Sequence, residues 1–267
     1  MLIIMDEQIW FVSFFSFLLV LSAFEYLWSS ESDSSNATQR WPANIGLGFT
    51  NSALVALVPA GAVWWAGWAL QHHTCLLNWL QPPFWLALVL TFAAYTFAQY
   101  GIHRLSHSVP MLWRVHKVHH SDPHLDGTTA LRNHPLELLV RAAFMFPWTI
   151  AFGFHPVAVA LVEAVEIIAS IATHTSLQLP QRAEVVLRKV LVTPGVHRLH
   201  HSDYQVETDS NFGAVLTIWD RLFGTFLAEP VARDAAFKIG LTDVDPMKAA
   251  QFEWLIFLPL PPSRSTP

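Results

Sequence analysis

Charge is scarce in this chain. Asp, Glu, Lys and Arg make up 13% of its 267 residues, about half the ~25% of a soluble globular domain. Between Arg40 and Arg104 there is none. That uncharged stretch is far longer than the ~20 residues one membrane-spanning helix needs. With 53% hydrophobic residues overall, it excludes an ordinary soluble domain. Basic runs are missing as well, and the formal net charge is -5, which excludes nucleic acid as a partner. Cys75 is the single cysteine, so disulfides and thiolate metal sites are excluded. The basic n-region of a cleavable signal peptide is absent too. Asp6 and Glu7 stand in its place, so the first apolar run reads as a retained anchor.

What is present are apolar runs and histidines. The runs cover about residues 8–28, 46–70 and 83–101, with a polar loop at Ser29–Gln39 between the first two. Trp64, Trp65, Trp68 and Trp85 cluster where the second and third runs meet the loop between them, a headgroup-level position. A fourth region, about 138–172, is too long for one simple span and is interrupted by Pro147, Gly153 and Pro156. It reads either as a kinked span or as a re-entrant hairpin of two half-length helices. The expected fold is therefore all-α and integral to the membrane, with about four transmembrane helices. Three spans before His103 place 103–137 opposite the N-terminus. Arg104, Arg114, Lys117 and Arg132 make that face cytoplasmic by the positive-inside rule. Arg182, Arg188, Lys189 and Arg198 assign 174–250 to the same side. Both segments share a face only if the fourth region enters and leaves together, as a hairpin or as two full-length tilted spans.

Of the 14 histidines, all but His72 and His73 fall between 103 and 201. His103 and His107 are four apart, His116, His119 and His120 stand at i, i+3 and i+4, and His197, His200 and His201 repeat that triplet. Residues three and four apart share a helix face, so each group aims its rings at one point. Eight imidazoles exceed the four ligands of a structural zinc and suit two metals with positions left open. Imidazole fits iron, zinc, copper or nickel. The scarcity of carboxylates argues against a hydrolytic zinc pair, and a redox metal such as iron suits chemistry on unactivated alkyl chains. His72, His73, His124 and His155 stand alone and read as structural.

These three clusters resemble the histidine boxes of the fatty acid hydroxylase superfamily, also called the sterol desaturase family. The likeness runs from about 90 to 226. It includes Thr128-Thr-Ala-Leu-Arg-Asn-His-Pro135, Thr193-Pro-Gly-Val before the third box, Asn211-Phe-Gly-Ala, and Trp219-Asp-Arg-Leu-Phe-Gly-Thr225. The resemblance implies four or so membrane helices beneath a cytosolic helical cap that holds a non-haem site of two Fe ions. It divides the chain into N-terminal membrane helices over 1–82, a histidine-box catalytic domain over 83–230 and a tail over 231–267. It also implies O2 as co-substrate and hydroxylation or desaturation of a lipid such as a sterol or fatty acyl chain.

The resemblance further implies His174 as a ninth ligand, with a helix-ending role as the alternative. Glu163, Glu166, Ser170 and His174 share a helix face, so Glu166 either orients His174 from behind or lies at the membrane interface. His134 and Asp220 are expected to support the site or the cap structurally, and Asp220 as a metal ligand is the lesser alternative. No dinucleotide fingerprint, haem pattern or ferredoxin cysteines occur, so electrons are expected from a separate reductase, cytochrome or ferredoxin-type donor. The bacterial inner membrane is favoured over the endoplasmic reticulum. Three alternatives stand beside this reading: a divalent-metal transporter, a zinc-dependent membrane hydrolase and a non-catalytic lipid-binding relative.

Overall fold

The structure, a computed structural model, describes Glu25 and residues 37–57, 61–72, 75–231 and 236–260. The first apolar run lies outside the described residues. Thirteen α-helices and one 3-10 turn follow, and among the described residues there is no β-sheet, only two isolated bridges. The membrane part comprises α1 (Ala37–Leu57), α2 (Ala62–His72), the short α3 (Leu76–Leu80), α4 (Phe84–Ser108), α6 (Pro135–Phe152) and α7 (Pro156–His174). The stretch Ala37–His72 and the helices α4, α6 and α7 are each long and apolar enough to cross a membrane.

The fourth apolar region is therefore two full-length helices, neither a single kinked span nor a half-length hairpin. Its interruptions act at the turn. Gly153 ends α6 in the left-handed region at φ 63°, and a Cβ there would collide with Cys75. His155 then caps α7 by accepting from the Val157 N–H at 3.2 Å, with Pro156 at the first helical position. Pro147 stays inside α6, as proline is tolerated where neighbouring helices and side chains satisfy the freed backbone. Thus α7 returns to the end of the bundle that α6 leaves.

Helices α2, α4, α6 and α7 close around Ala62, Ala66, Tyr95, Ala98, Met145, Val159 and Val162. Small residues allow this close approach where lipid supplies no hydrophobic drive between helices. Val89, Val157, Leu161, Val165 and Ile168 remain exposed on the outer faces. Trp64 and Trp85 are exposed as well. Trp85 starts α4, about 27 Å along the helix from His103 at ~1.5 Å per residue.

Helix α1 begins at Ala37, earlier than its apolar run, because its first turns face a buried ionic network. Arg40 donates to Asp122 at 2.8 Å and to Asp126 at 2.6 Å. Asn44 donates to Asp122 and Thr128, both at 3.0 Å. Arg132 is fully buried and donates to Val118 O, Asn44 Oδ1, Ser121 Oγ and Ala249 O at 2.6–3.0 Å. The tail region is therefore an integral part: α12 (Pro246–Ala249) and α13 (Phe252–Phe257) bring Leu255 and Phe252 against Ala43, Leu47 and Val118.

Candidate metal centre

Helix α5 (Pro110–His120) follows α4 after one extended residue, Val109, and carries the second box. Helix α9 (Pro194–His200) carries the third and is capped by Thr193, whose hydroxyl accepts from the Val196 N–H at 3.3 Å. His174 ends α7. Together these elements bring nine imidazoles into two groups. His103, His107, His116, His120 and His200 form one, and His119, His174, His197 and His201 the other; within each group the ligand atoms lie within 4.8 Å of one another.

Each triplet is split between the groups. His116 and His120 join the first and His119 the second, while His197 and His201 join the second and His200 the first. Helix geometry accounts for this. At ~100° per residue, the i+4 ring turns about 40° one way from i and the i+3 ring about 60° the other. The i, i+4 pair therefore serves one centre and the i+3 residue reaches the other. His120 and His201, the last members of the two triplets, stack with centroids 4.5 Å apart.

Hydrogen bonds behind the rings fix where the protons sit. The carbonyls of Phe212, Ser210 and Ser170 accept from Nδ1 of His103, His200 and His174 at 2.8, 2.7 and 2.6 Å. The Glu137 carboxylate accepts from His116 Nδ1 at 2.8 Å and Asp209 from His107 Nδ1 at 3.2 Å. A carbonyl cannot donate, so Nδ1 carries the proton and Nε2 presents a lone pair inward. Yet His103 Nε2 lies 3.1 Å from His116 Nε2 and 3.0 Å from His200 Nε2. In the second group His174 Nε2 lies 3.1 Å from His119 Nε2 and 3.0 Å from His197 Nε2. His107 Nε2 is buried without a hydrogen-bond partner among the described residues. Lone pairs facing each other at 3 Å repel, and a cation between them removes the conflict. Burial first, then the neighbouring imidazoles, push His119, His120, His197, His200 and His201 well below the ordinary histidine value, which keeps them in the neutral, metal-binding form. The donor set fits two imidazole-bound metal ions.

The cap loop exists to place two of those carbonyls. Asn211 adopts φ 55° and its side chain bonds Val196 O, Leu227 O and the Leu227 N–H. Asp220 accepts the Phe212 and Gly213 N–H groups, each at 2.8 Å, and the Thr225 hydroxyl at 2.7 Å. A Cβ on Gly213 would collide with the Leu216 carbonyl. Asp220 therefore lies in neither group and acts on His103 through the backbone of Phe212. Trp219 donates to Thr96 Oγ1 at 3.1 Å, which pins the cap to α4.

His134 also lies outside both groups. Its Nδ1 accepts from Leu136 N–H and its Nε2 donates to the Ile256 carbonyl, both at 3.0 Å. The acceptor expected for His174 at Glu166 is instead the Ser170 carbonyl one turn earlier; Glu166 accepts from Gln99 at 3.0 Å. The sequence reading does not include Glu137 or Asp209. A carboxylate in the first turn of an apolar helix is a signal for Glu137, because burial without a partner is costly. Asp209 is half exposed and gives none.

On the bundle side of the groups, a cavity of about 110 Å³ opens between α4, α6 and α7, lined among others by Gln99, His103, Glu137, Arg141, Thr173 and His174.

Residues 88–225 match the family model described as Fatty acid hydroxylase, a stretch that contains all nine histidines. The chain is 35% identical over 153 residues to an alkylglycerol monooxygenase of Xenopus tropicalis, covering 57% of this chain and 32% of that one. It is 32% identical over 176 residues to the ornithine lipid hydroxylase OlsE of Rhizobium tropici, covering 65% and 51%. It is 28% identical over 161 residues to methylsterol monooxygenase 1 of Gallus gallus, covering 58% and 52%. The matched stretch thus spans about a third to a half of these relatives. No solved structure matches the chain.

Proposed function

Because the chain belongs to the fatty acid hydroxylase family, we propose that it is a multi-pass membrane enzyme that oxidises a lipid with O2 at two non-haem iron ions. The observation that supports this most is the pair of buried imidazole groups, five and four strong, with inward lone pairs. His103, His107, His116, His120 and His200 would hold one ion, and His119, His174, His197 and His201 the other. Two irons so held would supply the redox chemistry by which O2 and two electrons oxidise an alkyl C–H bond. The protein's part is positioning. The Phe212, Ser210 and Ser170 carbonyls and the Glu137 and Asp209 carboxylates orient five of the rings, and the burial of the cluster keeps bulk water from the reacting carbon. The cavity against both groups is where that carbon would sit.

The relatives' names span an alkylglycerol, an ornithine lipid and a methylsterol, which favours oxygen insertion over desaturation. Electrons would come from a separate donor, and the basic residues around the boxes favour the cytoplasmic face. The transporter and hydrolase alternatives gain no support from the geometry or the relatives. The test is metal analysis and turnover in purified protein. The wild type should carry two irons per chain and add one oxygen to a lipid only when O2 and reductant are present. His119→Ala should abolish both. Zinc in place of iron, with turnover that needs no oxygen, would overturn the reading.

A further inference from the structure

A cavity that receives only hydrocarbon has no use for a guanidinium, yet Arg141 lines the one beside the histidines. It stands on α6 one turn beyond Glu137, on the same helix face, about 9 Å into the helix at ~1.5 Å per residue. Among the described residues it makes no hydrogen bond and no ion pair within 4.0 Å. Ionisable side chains inside a membrane helix face an interior, find a partner and mark function. Glu137 lines the same cavity and is 6% exposed. Its Oε1 accepts from His116, while its Oε2 is buried with no hydrogen-bond partner. Among the other polar lining groups, Ser106 and Thr173 donate to carbonyls of their own helices, and Gln99 donates to Glu166. The Arg141 guanidinium and the second Glu137 oxygen thus remain open, a helical turn apart, at the wall of the space beside the metal groups.

We propose that Arg141 and Glu137 form a recognition post for a neutral hydroxyl or amide group that the lipid substrate carries within a few bonds of the carbon to be oxidised. The group accepts from the Arg141 guanidinium and donates to Glu137 Oε2. An anionic group is disfavoured, because the Glu137 carboxylate lines the same cavity beside Arg141. The cavity of about 110 Å³ has room for one such group with a short stretch of chain. The post would set the position of oxidation by its distance from the polar group, in the way that a site built to bond a hydroxyl rejects an analogue without one.

This rests on the proposed lipid oxidation at the same site, and the experiment separates the two. Iron-loaded protein in detergent is titrated with 1-hexadecanol, N-methylhexadecanamide and n-hexadecane, the last having neither donor nor acceptor. The wild type should bind the first two at least tenfold more tightly than the third. Arg141→Met should cut that preference at least threefold, and Arg141→Lys should restore part of it. If Arg141 merely balanced the nearby carboxylates, Arg141→Met would lower thermal stability and leave the ratio unchanged, which overturns the proposal. Equal binding by the wild type, or no binding of any probe, overturns it too. Iron content and O2-dependent turnover, measured on the same samples, report on the parent reading alone.

Discussion

Two buried polar assemblies flank helix α5, and they solve the same desolvation problem in opposite ways. On one side Arg40, Arg132, Asp122 and Asp126 balance two positive against two negative charges, and Arg132 alone makes four hydrogen bonds. On the other side eight imidazoles turn their Nε2 atoms toward one another at 3.0–3.2 Å, with the unpartnered His107 Nε2 beside them. The first assembly is balanced in charge within the chain and leaves one donor, Arg40 Nε, without a partner among the described residues. The second is complete only with cations added. Buried polar groups closed among themselves hold a fold together, whereas buried groups of one kind facing each other wait for something else.

Acid should separate the two assemblies most widely. The folded values of His119, His120, His197, His200 and His201 lie below the ordinary 6.5, so the unfolded chain takes up protons first. Metal-free protein should therefore lose stability as pH falls below ~6.5, by ~1.4 kcal/mol per pH unit for each histidine that stays neutral. Burial alone would raise the Asp122 carboxyl, but Arg132 and Arg40 hold it below the usual range. The ionic side should then be unaffected until strong acid. Thermal melts of metal-free and iron-loaded protein between pH 5 and 8 check this, and iron should shift the loss to lower pH.

Arg132→Met attacks the self-balanced side. It leaves Asn44 Oδ1, Ser121 Oγ and the Val118 and Ala249 carbonyls without their donor, unbalances the two carboxylates against Arg40, and should cost ~3–5 kcal/mol in denaturant unfolding, through the fold and not through the histidines. Glu137→Ala attacks the other side without touching a ligand atom. It frees the His116 ring and should weaken iron retention against a chelator by ~10–100-fold, with little change in the unfolding of metal-free protein. Asp209→Asn does the same for His107 at an exposed position. Its effect should stay under ~1 kcal/mol, because a solvent-facing pair contributes little.

The histidine clusters were the most legible part of this molecule. Spacings of three and four residues on helical segments point to eight histidines, the family resemblance adds His174, and the structure brings all nine together. The pairing into five and four was not legible. It depends on how α5 and α9 face each other, which is a matter of packing and not of spacing. The fourth apolar region shows a similar limit. Its prolines and glycine mark a break, but only the docking of α7 beside α4 and α9 makes the pieces full-length helices that bring His174 home. The shared helix face left Glu166 between two roles, and the structure gives the His174 ring a carbonyl one turn back, that of Ser170. Arg132 and Asn44 gave no signal, since their partners lie 88 residues apart in sequence.

The bond from Arg132 to the Ala249 carbonyl spans 117 residues, and that separation sets an order of assembly. At ~5–20 residues per second of synthesis, Ala249 follows Arg132 out of the ribosome by about 6 to 23 seconds. All nine histidines are made before it. During that interval the first two boxes lie beside a guanidinium that lacks its last acceptor, so the platform beneath them tightens only after Ala249 has been made. A chain cut short before Ala249 would carry every ligand and still lack the clasp that holds two of the boxes in register.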